Sequence, residues 1–438
     1  MIDPASPGGL PPFDPLRPGF LADPYRAFDE YRLHDPVHWN GHPSGRRAGR
    51  WYVFDYRSAV TVLTDKRFGR QPLAPRGACP AASGPCAHAP AAPPVAPPPV
   101  PRSFSTPGPF AAMTANWMLF QDPPKHTRMR LAVSPAFTVA AAHALRSRIE
   151  QRVQELLAPL AGQQRFDLLR EFAFPLPLDV IADVLGVDAS ERAAFRSWSA
   201  AMRNAVDRPK WGTDALAQAD AATLGLNGYF EDAWRRHRTA PGHGVLSALF
   251  RLEGRDDGLS KEEAFAMFTF LISAGHETTT NLICSGMYLF AQHPRERQRL
   301  LDEPALIQRT IEEILRYESP VQAMTRIVAA DVELGTRKLL AGDRVEVLVG
   351  SANRDPAVFE APERFDAGRK PNAHLAFGLG SHYCVGAPLA RLMASIALPV
   401  LLQRVQVLEF APATTPWTAS VGFRGLTDLP CAFREQKE

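Results

Sequence analysis

The stretch Phe377-Gly-Leu-Gly-Ser-His-Tyr-Cys384-Val-Gly386-Ala-Pro-Leu-Ala-Arg391 decides how the rest of this chain is read. It is a glycine-rich loop ending in a cysteine just before a helix predicted over Pro388–Leu402. A cysteine placed there faces the positive end of the helix dipole and free backbone donors, both of which favour the thiolate. The glycines allow a flat or bulky group to lie against the loop. A small buried cysteine at a tight turn would fit the same residues. No Cys-x-x-Cys and no close histidine cluster accompanies it, so a zinc centre built from local ligands is poorly supported.

A second feature lies upstream. Ser260 followed by Glu263 reads as a capping box, and apolar residues then recur almost unbroken to Gln292. At 1.5 Å per residue such a helix runs about 50 Å, and it must cross the interior packed on several sides. Its middle reads Ala274-Gly275-His276-Glu277-Thr278-Thr279-Thr280. Ionisable groups are costly there, three consecutive threonines are weak helix formers, and Gly275 lets something approach the backbone. A polar face against a neighbouring element, with hydroxyls bonded to the preceding turn, is the plainer alternative.

Working outward, periodicity predicts helices over Tyr25–Leu33, Tyr56–Leu63, Pro124–Leu131, Val139–Leu157, Pro177–Leu185, Ala189–Arg203, Asp214–Arg236 and Pro304–Tyr317. Strands are expected at Arg50–Asp55, Thr325–Ala329, Val332–Leu334 and Val345–Val349. The sum is a mainly α protein with small β sheets. At 45% hydrophobic residues the 438-residue chain is too apolar to be disordered throughout. A net charge of +3 gives no reason to expect nucleic acid as a partner. Met1–Phe20 lacks the pattern of a signal peptide. The longest apolar stretch, Ala264–Gly275, is well short of the roughly 20 residues that cross a bilayer. With five scattered cysteines and no membrane segment, a soluble, reduced, cytoplasmic protein fits best.

The prolines are unusual. There are 41, and 13 of them fall between Gln71 and Phe110. Alternating alanine and proline cannot supply the donors of a helix or sheet, so an extended loop is expected. Fewer than 75 residues precede it, without a convincing core, which favours a loop inserted within one domain over a linker between two.

Taken together, these segments resemble the cytochrome P-450 superfamily, the haem-thiolate monooxygenases, and in particular its soluble bacterial, ferredoxin-dependent members. The cysteine loop matches the family pattern at Phe377, Gly378, Gly380, His382, Cys384 and Gly386. The family's Glu-x-x-Arg is present as Glu313 and Arg316, its Pro-Glu-Arg-Phe arginine as Arg364, and its long-helix motif as Ala274, Gly275, His276, Glu277 and Thr278. An earlier His-x-x-x-Arg appears as His126 and Arg130. The resemblance runs from about residue 20 to the end of the chain. It implies one haem domain over 1–438, with 71–110 as an inserted loop near the substrate entrance; the loop is longer than is typical of the family, so its conformation is read from its composition alone, and about Cys79–Pro99 is expected to be mobile without substrate.

The resemblance also implies roles. Cys384 would be the axial ligand of haem b, its thiolate pushing electron density toward iron and favouring O–O cleavage, an effect for which this family is the standard example. Phe377 would shield the ligand. Gly378, Gly380 and Gly386 would let the loop pass close to the porphyrin and aim amides at sulfur. His126, Arg130, Arg326 and His382 would hold the two propionates. Glu313, Arg316 and Arg364 would form a buried ionic network. Thr278, at a widened helical turn, and Glu277 would deliver protons for oxygen activation, with Ala274 and Gly275 leaving room for O2 and substrate.

Pocket walls would include Ala274, Val321, Ala323, Met324 and Val421, mostly small or apolar. They suit a hydrophobic secondary metabolite such as a polyketide, macrolide or terpenoid, to be hydroxylated or epoxidised, as in antibiotic biosynthesis. Expected partners are O2 and a ferredoxin served by a ferredoxin reductase and NAD(P)H, with no nucleic acid, no membrane and a monomeric chain. Lys125, Arg128 and Arg391 would offer a cationic docking face to the ferredoxin. Oxidative coupling or peroxide-driven oxidation is the alternative enzyme reading, and a haem-binding sensor or carrier the non-enzymatic one.

Overall fold

The longest helix, Lys261–Gln292, starts at the expected capping box: Glu263 N–H donates to Ser260 Oγ at 3.2 Å, and Ser260 N–H donates to Glu263 Oε2 at 3.1 Å. Apolar residues all round the helix, among them Phe268, Ile272, Leu282 and Ile283, are buried because it is packed by Pro175–Leu185, Ile307–Tyr317 and Ala387–Arg404. The computed structural model describes residues 10–17, 19–71, 108–206, 213–239, 244–252, 258–408, 417–418 and 420–434. The extended loop expected over 71–110, and the mobile stretch Cys79–Pro99 within it, fall almost wholly outside the described residues. The exception is the end of that range, where Pro109 starts a helix, Pro109–Ala115, instead of continuing a loop.

The strands are β1 (Val37–Asn40), β2 (Arg50–Val53), β3 (Phe68–Gly69), β4 (Phe166–Asp167), β5 (Ala323–Val328), β6 (Val332–Leu334), β7 (Arg337–Leu339), β8 (Arg344–Leu348), β9 (Val405–Val407) and β10 (Pro430–Phe433). They form a five-stranded sheet in the order β1-β2-β8-β5-β3, a three-stranded sheet β4-β10-β9 and the pair β6-β7. Within the larger sheet β2 and β8 run parallel, while β5 pairs antiparallel with β8, setting Met324 opposite Val347 and Arg326 opposite Val345. Val53, Val345 and Val347 face a core shared with the helix Tyr56–Thr64. The other face of β2 and β8 turns Tyr52 and Leu348 toward an aromatic cluster of Phe13, Phe20, Phe28, Tyr31 and Phe54.

Three predicted helices are divided, Ala189–Arg203 into a 3₁₀ turn, Ala189–Glu191, and the α-helix Arg192–Val206. Val139–Leu157 becomes Val139–Ala144 and Arg146–Leu157, because Leu145 N–H bonds three residues back to Ala142 O and tightens the turn. Pro304–Tyr317 opens with a 3₁₀ turn, Pro304–Leu306, before the α-helix Ile307–Tyr317. No helix among the described residues is long and apolar enough to cross a membrane.

Candidate active site

Cys384 follows the short 3₁₀ turn Gly380–His382 and precedes the helix Ala387–Arg404. Its N–H donates to Phe377 O at 2.9 Å, which closes the loop on itself. The side chain has accessible surface, yet it is enclosed by protein, so that surface faces an internal space and not the exterior. Burial pushes the thiol pKa up, opposed by the amides of Gly386 and Ala387 and by the charges of Arg130 and Arg391. The glycines divide their work. Gly378 and Gly380 have φ of 69° and 70°, the left-handed region that favours glycine. A Cβ on Gly380 would also lie 2.7 Å from Leu63 O. The Gly378 amide donates to Leu375 O, so of these three glycines it is Gly386 whose amide serves the sulfur.

Beside this loop lies a concentration of positive groups. His126 and Arg130 occupy one face of the helix Lys125–Val133, four residues apart, and His382 comes from the cysteine loop. The His126 and His382 ring centroids are 4.1 Å apart. Arg326 extends from β5, and Arg70 leaves the end of β3. Arg70 was not expected from the sequence. It donates to Leu119 O from Nε at 2.6 Å and to Thr325 O from Nη1, and its guanidinium lies 5.6 Å from the Phe120 ring. Arg326 Nη1 also donates to Thr325 O, at 2.9 Å.

Among the described residues none of Arg70, Arg130 and Arg326 is in an ion pair, and both ring nitrogens of the buried His126 lack a hydrogen-bond partner. The nearby carboxylate is Asp122, which accepts the backbone N–H groups of Arg70 and Gln71 at 2.9 Å. Burial, reinforced by the crowded positive charge, lowers Arg70 to about 9, Arg326 to about 10 by burial, and His382 to about 2. His126 is likewise lowered by burial and Arg130. Both imidazoles are therefore neutral near pH 7, and three guanidiniums face one carboxylate. The remaining charge of two is what the two propionates of haem would balance, and the one N–H of the neutral, unpartnered His126 ring would donate a hydrogen bond to them. The donor set fits that cofactor.

On the long helix, Ala274, Glu277 and Thr278 share one accessible face at mid-length while the turns on either side are buried. The helix is α throughout; the widened turn expected at Thr278 is not seen, and its Oγ1 donates to Ala274 O at 3.0 Å. Thr279 bonds Gly275 O, and Thr280 reaches Ala173 O on a neighbouring segment at 2.9 Å. Gly275 does not open space for O2 or substrate as expected. A Cβ there would stand 3.2 Å from Ile181, so it allows the helix Pro175–Leu185 to pack closely.

The ionic network is present with one member changed. Glu313, fully buried, accepts from Arg316 Nε and Nη2 at 2.7 and 2.8 Å, from Arg369 Nε at 3.0 Å to both oxygens, from Asp366 N–H at 3.0 Å and from Asn372 Nδ2 at 3.1 Å. Arg364 does not join with its guanidinium, which is 65% exposed beside Asp366. Phe365 is drawn inward onto Phe290, Tyr317 and His293, which turns the preceding residue outward. Arg364 contributes its carbonyl instead, accepting from Arg316 and Arg369.

The proposed walls come together in part. Val321 bridges Phe423, Gln322 N–H donates to Gly422 O and Arg424 N–H to Pro320 O, both at 2.9 Å, so the segments bearing Val321 and Val421 run side by side. Met324 approaches the cysteine loop at Gly378. Ala323, one residue away on the opposite face of β5, packs on the aromatic cluster around Phe13 and belongs to the core, not to the pocket. A separate cavity of about 290 Å³ lies between Met113, Leu224, Phe230 and Phe265, and includes neither Ala274 nor the cysteine loop. The expected docking cations are engaged: Arg128 donates to Glu263 at 2.6 Å, and Lys125 Nζ to Asn116 Oδ1 at 3.0 Å.

Comparison with known proteins agrees with this geometry. A family model described as Cytochrome P450 matches residues 243–422. The chain is 33% identical over 416 residues to the biotin biosynthesis cytochrome P450 of Bacillus subtilis, spanning 94% of this chain and 97% of the other. It is 34% identical over 416 residues to 6-deoxyerythronolide B hydroxylase of Saccharopolyspora erythraea, spanning 94% and 96%. Among solved structures, the bacillaene polyketide synthase cytochrome P450 PksS of Bacillus subtilis superposes with a TM-score of 0.81 at 30% identity, covering 97% of this chain and 100% of that one.

Proposed function

The chain belongs to the cytochrome P450 family of haem-thiolate monooxygenases, and from that premise we propose that it inserts one oxygen atom of O2 into a hydrophobic secondary metabolite of the polyketide or macrolide kind. The observation that carries the haem part is the donor set of the site: among the described residues, three guanidiniums without an ion pair and a buried imidazole without a hydrogen-bond partner stand beside a cysteine served by two backbone amides. Cys384 would hold the iron of haem b, and His126, Arg130, Arg326, His382 and Arg70 would hold its propionates. Bound haem supplies the activation of O2, favoured by electron donation from the thiolate.

The chain's own residues then control protons and water. Thr278, whose hydroxyl is anchored on Ala274 O, would position a water at the accessible face of the long helix. Glu277, half-buried on the same face, would pass protons inward from solvent. The apolar walls at Val321, Met324 and Val421 favour a substrate without charge, and relatives that act on 6-deoxyerythronolide B or belong to a polyketide synthase support that class. Relatives matching the chain almost from end to end support one haem domain over 1–438, with 71–110 inserted in it. We further propose that the chain is a monomer receiving electrons from a separate ferredoxin and its NAD(P)H-dependent reductase.

Two measurements test this reading. The reduced carbon-monoxide spectrum should be that of thiolate-ligated haem and should be lost in Cys384→Ser. A panel of macrolactones should shift the resting spectrum; a response confined to charged ligands would overturn the substrate class. Arg70→Ala should release haem to an acceptor apoprotein about tenfold faster, since a hydrogen bond to a charged group is worth about 1.5–3 kcal/mol. Arg70→Lys should recover part of the loss, and an unchanged release rate in both would remove Arg70 from the propionate site.

A further inference from the structure

Glu312 and Glu313 are consecutive on the helix Ile307–Tyr317, yet they serve different clusters. Glu313 belongs to the Arg316–Arg369 network. Glu312 reaches toward the cysteine-side helix, where Arg391 grips it with two hydrogen bonds, Nε to Oε1 and Nη2 to Oε2, both 2.7 Å. A third donor is His374 Nε2, at 3.0 Å from Oε2, and its Nδ1 accepts the Ala376 N–H at 3.2 Å. Burial alone would raise the Glu312 pKa; the bonds to Arg391 and His374 outweigh it and hold the carboxyl at about 2. The pair is therefore fully charged wherever an enzyme would work.

This cluster has a second side. The Arg391 guanidinium lies 4.4 Å from the centre of the Phe377 ring, and its Nη1 donates to Tyr383 Oη at 3.2 Å. Phe377 is the residue whose carbonyl receives the Cys384 N–H. Arg391 is also close enough to Cys384 for its charge to favour the thiolate. A positive charge and its compensating negative charge are thus mounted beside the cysteine loop, with the guanidinium over the Phe377 ring.

We propose that Glu312 and Arg391, steadied by His374, form a charge-balanced bracket at Phe377 whose mutual cancellation keeps the reduction potential of the thiolate-bound haem from being pulled up or down by either charge; this rests on the haem-thiolate reading above. Reduction adds one electron to the iron–thiolate unit, so any unbalanced positive charge nearby favours the reduced state and any unbalanced negative charge opposes it. While both partners are present their fields largely cancel. Arg391 is consequently a positioning residue of the cysteine loop and not a free docking cation.

The test exploits the sign. In the haem-loaded protein, Glu312→Gln leaves Arg391 uncompensated and should raise the potential in a spectroelectrochemical titration. Arg391→Gln leaves Glu312 uncompensated and should lower it. The double variant should return toward the parent, and Arg391→Lys, which keeps the charge, should stay near it. A bracket that merely braced the loop would move both single variants in the same direction, and that result, or no shift in either, would overturn the proposal. If Glu312→Gln takes up no haem, Arg391→Gln decides alone by whether its potential falls. An unchanged potential in Arg391→Gln with weaker, salt-sensitive ferredoxin binding would assign the arginine to docking instead. Absence of a thiolate spectrum in the parent protein would remove the underlying reading, whereas a thiolate spectrum with unmoved potentials removes this inference alone.

Discussion

Glu313→Ala will give a chain that holds little or no haem. The carboxylate is completely buried and accepts hydrogen bonds from two guanidiniums, an amide side chain and a backbone N–H. Its removal leaves Arg316 and Arg369 facing each other in a region with almost no access to water. Breaking a buried pair in this way costs about 3–5 kcal/mol, against a typical total stability of about 5–15 kcal/mol. The loss is also placed where it matters. Asp366, Arg369 and Asn372 all lie on the segment that leads into Phe377 and Cys384, so slackening it displaces the ligand loop. The expected results are a lower melting temperature and loss of the reduced carbon-monoxide spectrum in purified protein. Glu313→Gln, which keeps one acceptor, should be intermediate. A parental spectrum and melting temperature in Glu313→Ala would show that the network is dispensable.

Thr278→Ala should leave haem binding intact and uncouple the reaction. The hydroxyl is bonded to Ala274 O on the accessible face of a helix that is otherwise buried, so its loss perturbs the site without opening a cavity in the core. Without the hydroxyl to position a water, protons reach the site through less ordered solvent, and hydrogen peroxide is expected in place of product. General acid–base positioning is typically worth a factor of about 10²–10⁴, so product per NAD(P)H consumed should fall by about tenfold or more. Simultaneous assay of cofactor oxidation, peroxide and product measures this directly. Thr278→Ser, retaining the hydroxyl, should recover much of the coupling. Parental coupling in the alanine variant would remove Thr278 from proton delivery.

The cysteine loop and the long helix were legible because each couples a local rule to an unusual residue. The capping box and the unbroken apolar run follow from short-range chemistry, and the structure places them as read. What could not be read is long-range. Arg369 sits in a turn without periodicity, where an arginine reads as solvated; only the packing of Phe365 shows that Arg364 points out and Arg369 points in. Arg70 borders a proline-rich stretch, and the carboxylate that fixes its backbone, Asp122, is 52 positions away. Ala323 and Met324 differ by one residue in a strand, so their assignment to pocket or core depended on a register that composition does not reveal. β1 and β3 are too short to carry an alternation pattern of their own.

The junction between Pro320–Gln322 and Gly422–Arg424 has an evolutionary reading. These two segments, proposed as walls of the substrate pocket, are tied by main-chain bonds, Gln322 N–H to Gly422 O and Arg424 N–H to Pro320 O, and Arg424 is moored to Glu318 at 2.7 Å. Nothing in that tie depends on the side chains of Val321 or Val421. The frame of the wall is thus inherited separately from its surface chemistry, and those two positions can be exchanged without renegotiating the fold. A lineage built on this scaffold is free to diversify its substrates by substitutions at 321 and 421 while the backbone it selects upon stays constant.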